Sequence, residues 1–194
     1  MLEKVTLESR NVKLVPIELA HKEPLQRVVE DGDLYNLFVT NIPRPEKVEQ
    51  IIKDAIASQI AGIELAFVMI DKKSNKIVGS SRFRNYKPAF KGVEIGFTFI
   101  AKSSQKTMIN TEAKYLMLQH AFETVGLNRV EFLTDYLNHN SRRAIARLGA
   151  KEEGVLRNHY LMPNGRVRDS VIFSIIKNEW IGIKEHLQFK LNNQ

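Results

Sequence analysis

The sequence predicts an α/β domain of the α+β kind, with a mixed, mostly antiparallel sheet and helices on both faces. Three observations carry this. Across 194 residues, segments of period-two or continuous apolar character are interleaved with segments of helical spacing. Two pairs of strands are joined by short polar turns, as in antiparallel hairpins. One strand–helix–strand unit lies between them, and a crossover of that kind returns its strand parallel.

The elements follow in order. Val12 to Ile17 reads as a short strand. Glu18 to Glu30 reads as a helix with Leu19, Leu25, Val28 and Val29 apolar, stopped by Asp31-Gly32-Asp33. A second helix runs from about Pro45 to Ala61, where Val48, Ile51, Ile52, Ala55, Ile56 and Ile60 recur at helical spacing. Leu65 to Ile70 and Lys76 to Phe83 are strands joined by the polar turn from Asp71 to Lys76. Gly92 to Ile100 is a third strand of this run. Simple alternation puts its Val93, Ile95, Phe97 and Phe99 on one face and Glu94, Gly96 and Thr98 on the other. Asn110 to Val125 carries a broad apolar stripe and ends at Gly126. Arg129 to Asp135 is a strand, and Asn138 to Leu148 a short helix ending at Gly149. Glu152 to Leu161 and Val167 to Ile176 are strands around Pro163-Asn164-Gly165, a strong hairpin signal. Lys177 to Leu187 closes as a helix. That makes seven strands, in a chain read as one domain over 1–194.

Composition narrows the function classes. Apolar residues make up 43% and charged residues 26%, ordinary values for a globular chain. The absence of cysteine excludes a disulfide framework, thiolate metal ligands and a cysteine nucleophile. No apolar run is long enough to span a bilayer, and MLEKVTLESRNVKLV lacks the features of a secretory signal, so the cytoplasm is the expected compartment. The formal charge of +7 suits nucleic acid or a phosphate-rich cofactor, or no dedicated partner at all. Basic residues are spread along the chain, with no block resembling a nucleic-acid arm.

Two segments carry candidate chemistry. In the first, Phe97 to Ala113, a strand runs through a polar loop into a helix. Backbone N–H groups at such a helix start, with the helix dipole, favour a pyrophosphate at Gln105 to Asn110, and Lys102 and Lys106 add positive charge. The alternative is a plain capped helix. In the second, Asp135 to Gly149, Asn138 and Ser141 project near the first turn of a short helix at a strand end, where ligands of open sheets lie. Its alternative is an N-cap with a polar first turn.

Together, the ordered words of the chain resemble a known family. They are Glu94-Ile95-Gly96-Phe97, Asn110-Thr111-Glu112-Ala113-Lys114, Ala121-Phe122-Glu123 and Arg129-Val130-Glu131, then Asn138-x-x-Ser141-Arg142 and Leu148-Gly149-Ala150. Glu153-Gly154-Val155-Leu156-Arg157, Arg168-Asp169-Ser170-Val171 and Glu179-Trp180 follow. From Leu14 to Leu187 the chain is similar to the GNAT N-acetyltransferase superfamily, in its ribosomal-protein N-terminal acetyltransferase-like (RimJ/RimL) branch.

The resemblance implies acetyl-CoA as cosubstrate, held in a splayed gap between the parallel strands Gly92–Ile100 and Arg129–Asp135. The pantetheine arm is then expected along Phe97, Thr98, Phe99 and Ile100. The pyrophosphate is expected at Gln105, Lys106, Thr107, Met108, Ile109 and Asn110. Asn138 is the residue expected to bond the arm, and Ser141 the acid for the leaving thiolate as well as a cofactor contact. Glu94 is the candidate base, directly or through water, and an N–H near Phe99 the oxyanion donor. One departure stands out: where the superfamily has glycines in its phosphate loop, Gln105 to Asn110 has none.

The acceptor is expected to be a primary amine, either a protein N-terminus or a small molecule. His159 and Tyr160, and the segment Tyr35 to Thr40, are candidates to line its pocket, with a surface position or a core role for Leu37 and Phe38 as the alternatives. His21, His120 and His186 do not cluster, so no metal is implied. A homodimer is compatible with the resemblance. The competing readings are a CoA-binding module with weak or no catalysis and, ranked last, a basic nucleic-acid-binding protein.

Overall fold

A strand covered on both faces must be apolar at every position, and Leu65–Asp71 (β3) meets that condition from Leu65 to Met69. In the computed structural model, which describes residues 2–193, Leu65, Phe67 and Met69 enter one core cluster. Ala66 and Val68 enter a second cluster on the opposite face. The other strands extend this sheet to both sides: Leu7–Glu8 (β1), Val12–Pro16 (β2), Lys76–Lys87 (β4), Gly92–Ile100 (β5), Arg129–Asp135 (β6), Lys151–Leu161 (β7) and Val167–Ile176 (β8). Their order is β1-β2-β3-β4-β5-β6-β8-β7, and every neighbouring pair is antiparallel except β5–β6.

Helices cover both faces, as the sequence predicts. Lys22–Glu30 (α1) and Val48–Ile60 (α2) bury Leu25, Val28, Val29, Ile52 and Ala55 against Ala66, Val68 and Phe99. Ile109–Gln119 (α3) and Trp180–Asn192 (α5) pack Met117, Leu118, Trp180 and Leu187 on the other side, where Phe122 stacks on Trp180 at 5.3 Å. His139–Arg147 (α4) adds Ile145 to that layer.

Four expectations are corrected. The sheet has eight strands rather than seven, because the two-residue β1 pairs with the outer edge of β2 and is too short to show a period. The long helix expected from Asn110 to Val125 is α3 followed by a π-helical turn, His120–Thr124. β4 runs on beyond Phe83 to Lys87 through a bulge at Asn85, whose φ is 51°.

The fourth correction bears on the site. Ser80 pairs with Phe99 but Arg82 pairs with Gly96, so β5 carries one extra residue there. Phe97 takes φ 49° and absorbs it as a bulge. The alternation therefore switches mid-strand. Val93, Ile95 and Ile100 face the α3 layer, whereas Phe97 and Phe99 pack with the α1–α2 layer. Glu94, paired with Arg84, lies on the same face as Phe97 and Phe99 rather than opposite them.

Candidate active site

Parallel strands stay together only where their ladders continue, and the β5–β6 ladder is short. It joins Gly92 to Arg129, Val93 to Val130 and Glu94 to Glu131, and stops there. Beyond Glu94 the two strands part, so the edge of β5 from Ile95 onward has no strand partner on the β6 side. A cavity of about 620 Å³ opens in the gap. It is lined by Glu94, Phe97, Thr98, Phe99, Ile100, Gln105, Asn110, Asn138 and Ser141. Lys106, Thr107, Met108 and Ile109 do not line it.

The loop between β5 and α3 explains that division. Gln105 turns inward and its Nε2 donates to the Ile100 carbonyl at 3.0 Å. Lys106 is exposed and takes φ 62°, the left-handed conformation that a glycine would adopt at lower cost. The chain thus makes this turn with no glycine. The Thr107 hydroxyl donates to the Ser104 carbonyl at 2.7 Å and accepts from the Ile109 N–H at 3.4 Å, closing the turn into the helix. Met108 precedes α3, and Ile109 is buried in the core.

Asn110 is different. The residue lines the cavity, and its buried Oδ1 has no hydrogen-bond partner among the described residues. An acceptor left that way costs on the order of 1–3 kcal/mol, which a bound donor would recover. A free strand edge, an orphaned acceptor and a helix N-terminus at one end of the gap fit the elongated arm and diphosphate of acetyl-CoA.

At the start of α4, Asn138 Oδ1 accepts from the Ser141 N–H at 3.0 Å, so Asn138 caps the helix. The same residue lines the cavity, as does Ser141. Capping and a cavity position therefore coexist.

Glu94 is 6% exposed, so it is not a solvated carboxylate on an open sheet face. Asn85, aimed by the bulge in β4, donates to Glu94 Oε2 at 2.7 Å. Burial pushes the Glu94 carboxyl up, against the pull of Arg84 and the Asn85 bond. Gly96 makes the room: a Cβ there would lie 2.5 Å from Glu94 Oε1 and 3.1 Å from Arg84 Cδ.

Several lining residues lie outside the set read from the sequence. Lys114 is buried, and its Nζ donates to Ser81 Oγ at 2.7 Å and Thr98 Oγ1 at 2.6 Å. No carboxylate lies within 4 Å of it among the described residues, and burial pulls it down to about 7. Its signal was available as a lone lysine inside the apolar stripe of α3. Arg82, Arg84 and Arg168 also line the cavity. Arg82 pairs with Glu64 at 2.9 Å and lies over the Phe97 ring at 4.2 Å. Asp135 is ion-paired with Arg166, which also donates to the Phe38 carbonyl. Arg82, Arg84 and Arg168 sit at strand positions whose convergence depends on register.

His159 and Tyr160 line the cavity beside Arg168. A bulge at Asn158, φ 51°, inserts two residues between the Leu156–Ser170 and Tyr160–Arg168 pairs, and His159 Nδ1 sits 3.0 Å from Ser170 Oγ. Leu37 and Thr40 line both this cavity and a second one that adjoins it. Leu37 and Phe38 are 46% and 57% exposed, so neither is core.

Comparison with known proteins bears on the family and the fold. The Acetyltransferase (GNAT) domain profile matches residues 11–151. YdaF of Bacillus subtilis, whose name assigns it provisionally to ribosomal N-acetyltransferases, is 35% identical over 108 residues. That match spans 56% of this chain and 58% of YdaF. The protein p20 of Bacillus licheniformis, named an uncharacterized N-acetyltransferase, is 24% identical over 181 residues, spanning 91% of this chain and 99% of its own. The crystal structure of a GCN5-related N-acetyltransferase from Brucella melitensis superposes with a TM-score of 0.86 at 30% identity, covering 96% of this chain and 85% of that one. The profile, which runs from β2 to the start of β7 and takes in the parted strands, identifies the chain as a member of the GNAT acetyltransferase family.

Proposed function

We propose that this chain, acting as one domain over 1–194 in the cytoplasm, transfers an acetyl group from acetyl-CoA to a primary amine in a ternary complex. The observation that carries the reading is the gap opening directly after Glu94, with that buried carboxylate at its mouth. The likeness to YdaF supports a protein N-terminal amine as acceptor, with a small-molecule amine as the other member of the class.

When bound, acetyl-CoA supplies an activated thioester carbonyl. The chain's residues do the rest. The free edge of β5 from Ile95 to Ile100 orients the arm by backbone pairing, and the Asn110 and Asn138 side chains lie beside it to bond its amides. The start of α3 holds the diphosphate. Glu94 takes the proton from the acceptor nitrogen, and its raised pKa makes it a stronger base than an ordinary carboxylate. Ser141 returns a proton to the sulfur. The bulge at Phe97 leaves backbone donors near Phe99 for the developing oxyanion.

The test is thiol release from acetyl-CoA over a panel of peptides and small amines. Turnover with intersecting initial-rate lines supports direct transfer. Thermal stabilisation by acetyl-CoA without thiol release on any acceptor supports a binding module and overturns the reading.

A further inference from the structure

The charges around Glu94 do not cancel locally. Three carboxylates line or border the cavity, and each is already engaged. Glu64 holds Arg82 at 2.9 Å, Asp135 is ion-paired with Arg166, and Glu94 accepts from Asn85 at 2.7 Å. Two further arginines face the same cavity, and neither makes a hydrogen bond to a carboxylate among the described residues. Arg84 comes no nearer than 3.8 Å to Glu64, and its buried Nε has no hydrogen-bond partner among the described residues. Arg168 donates from Nε to Ser170 Oγ at 2.9 Å and meets no carboxylate within 4 Å among the described residues. Burial is the largest influence on Arg168 and acts against its charge.

Arg84 is the strand partner of Glu94, and Arg168 lines the same cavity beside His159 and Tyr160 and acts electrostatically on that carboxylate, so both are placed toward the acyl end of the gap. The loop that suits a diphosphate begins beyond Ile100, six residues further along β5, a span of about 20 Å. The two cations are therefore placed for the acceptor rather than for the phosphates. A partly desolvated guanidinium gains most from a carboxylate, which it can hold through two parallel N–H bonds.

We propose that Arg84 and Arg168 form an anion subsite, and that the acceptor amine carries a carboxylate close to it. The inference rests on the acetyltransferase reading above and names its substrate class. The carboxylate can come from an acidic side chain next to a peptide N-terminus or from the α-carboxylate of a free amino acid. A polyamine, which brings further positive charge, is disfavoured. The same cations ease loss of the acceptor's proton, because a like charge nearby lowers the pKa of an ammonium.

The experiment compares C-terminally amidated peptides Ser-Asp-Glu, Ser-Ala-Ala and Ser-Lys-Lys, free amino acids against their amides, and spermidine, each by thiol release. The N-acetylated peptides are also titrated by calorimetry, which needs no turnover. One acidic source exceeds its neutral counterpart by about tenfold or more in kcat/KM, and its acetylated product binds correspondingly tighter, on the order expected for a charge-assisted bidentate contact. R84Q and R168Q reduce that ratio to within about twofold through the acceptor KM, while R84K and R168K, which keep the charge but lose the two-pronged contact, retain only part of it. Which source wins distinguishes peptide from amino acid. Thiol release with no preference for the carboxylate, or with the cationic acceptors ahead, overturns the subsite and leaves the acetyltransferase standing. Tight, charge-selective product binding without thiol release on any acceptor does the reverse.

Discussion

Two buried ionisable groups flank β5 on its opposite faces, and the protein treats them differently. Glu94 sits on the α1–α2 face at the mouth of the gap, with an amide donor at 2.7 Å and arginines around it. Lys114 sits on the α3 face beneath the strand, and its nearest partners are the hydroxyls of Ser81 and Thr98. Burial acts on both and pushes each toward its neutral form. Only Glu94 has charged groups to oppose that. The carboxylate is thus kept titratable beside the gap, while the lysine is buried and bonded to the residue next to the bulge. In the reaction proposed above, the first group serves proton transfer and the second fixes the strand that the cosubstrate arm follows.

That contrast breaks most visibly if Glu94 is neutralised. Glu94→Gln keeps the Asn85 contact geometry but removes the base, so kcat falls about 10²–10⁴-fold, the range for general-base catalysis. Acetyl-CoA affinity, read by calorimetry, stays within about twofold. In the unaltered chain the rate also falls as pH drops through the raised Glu94 pKa, because the protonated carboxyl accepts no proton.

Gly96→Ala tests the same side by sterics alone. The new Cβ meets the Glu94 carboxylate and the Arg84 stem, and displacing a catalytic group by about an ångström costs up to ~10²-fold in kcat/KM. Fold retention by circular dichroism separates this from unfolding.

Lys114→Met reads the other side through stability. The folded chain releases the Lys114 proton near pH 7 and the unfolded chain near 10.5, so the unfolded state binds more protons between those values. Stability of the unaltered chain therefore rises with pH across that window, by at most about 1.4 kcal/mol per pH unit from this group. In Lys114→Met the rise attributable to it disappears, which urea midpoints at pH 6, 8 and 9.5 measure.

The smallest effects fall at α4. Asn138→Ala removes the cap on the Ser141 N–H and costs about 1 kcal/mol of stability. Ser141→Ala leaves that backbone bond in place, so it lowers kcat with the melting temperature nearly unchanged.

Much of this frame was legible in the sequence, for physical reasons that can be named. Arg129–Asp135 and Val167–Ile176 have the bounds expected of them, because their β-branched and aromatic residues are set off by turn residues, Gly126 and Asn128 before the first and Asn164 and Gly165 before the second. The Asn138 cap follows from an amide side chain three residues before a free N–H. The face of Glu94 was not legible. Period-two reading assumes an unbroken ladder, and the residue that breaks it is Phe97, an aromatic at φ 49° in place of a glycine that would have marked the bulge. Lys106 hides a left-handed turn in the same way. Arg84 and Arg168 are 84 residues apart in the chain, and only the sheet order β4-β5-β6-β8 brings them to one cavity.

The central claim is that β5 is paired to β6 up to Glu94 and free beyond it, ready for the cosubstrate. Amide hydrogen exchange with and without acetyl-CoA tests this most directly. The account predicts new protection within residues 95–100 and little change at Gly92 to Glu94, which are already in the ladder. Unchanged exchange at 95–100 under saturating acetyl-CoA would contradict it.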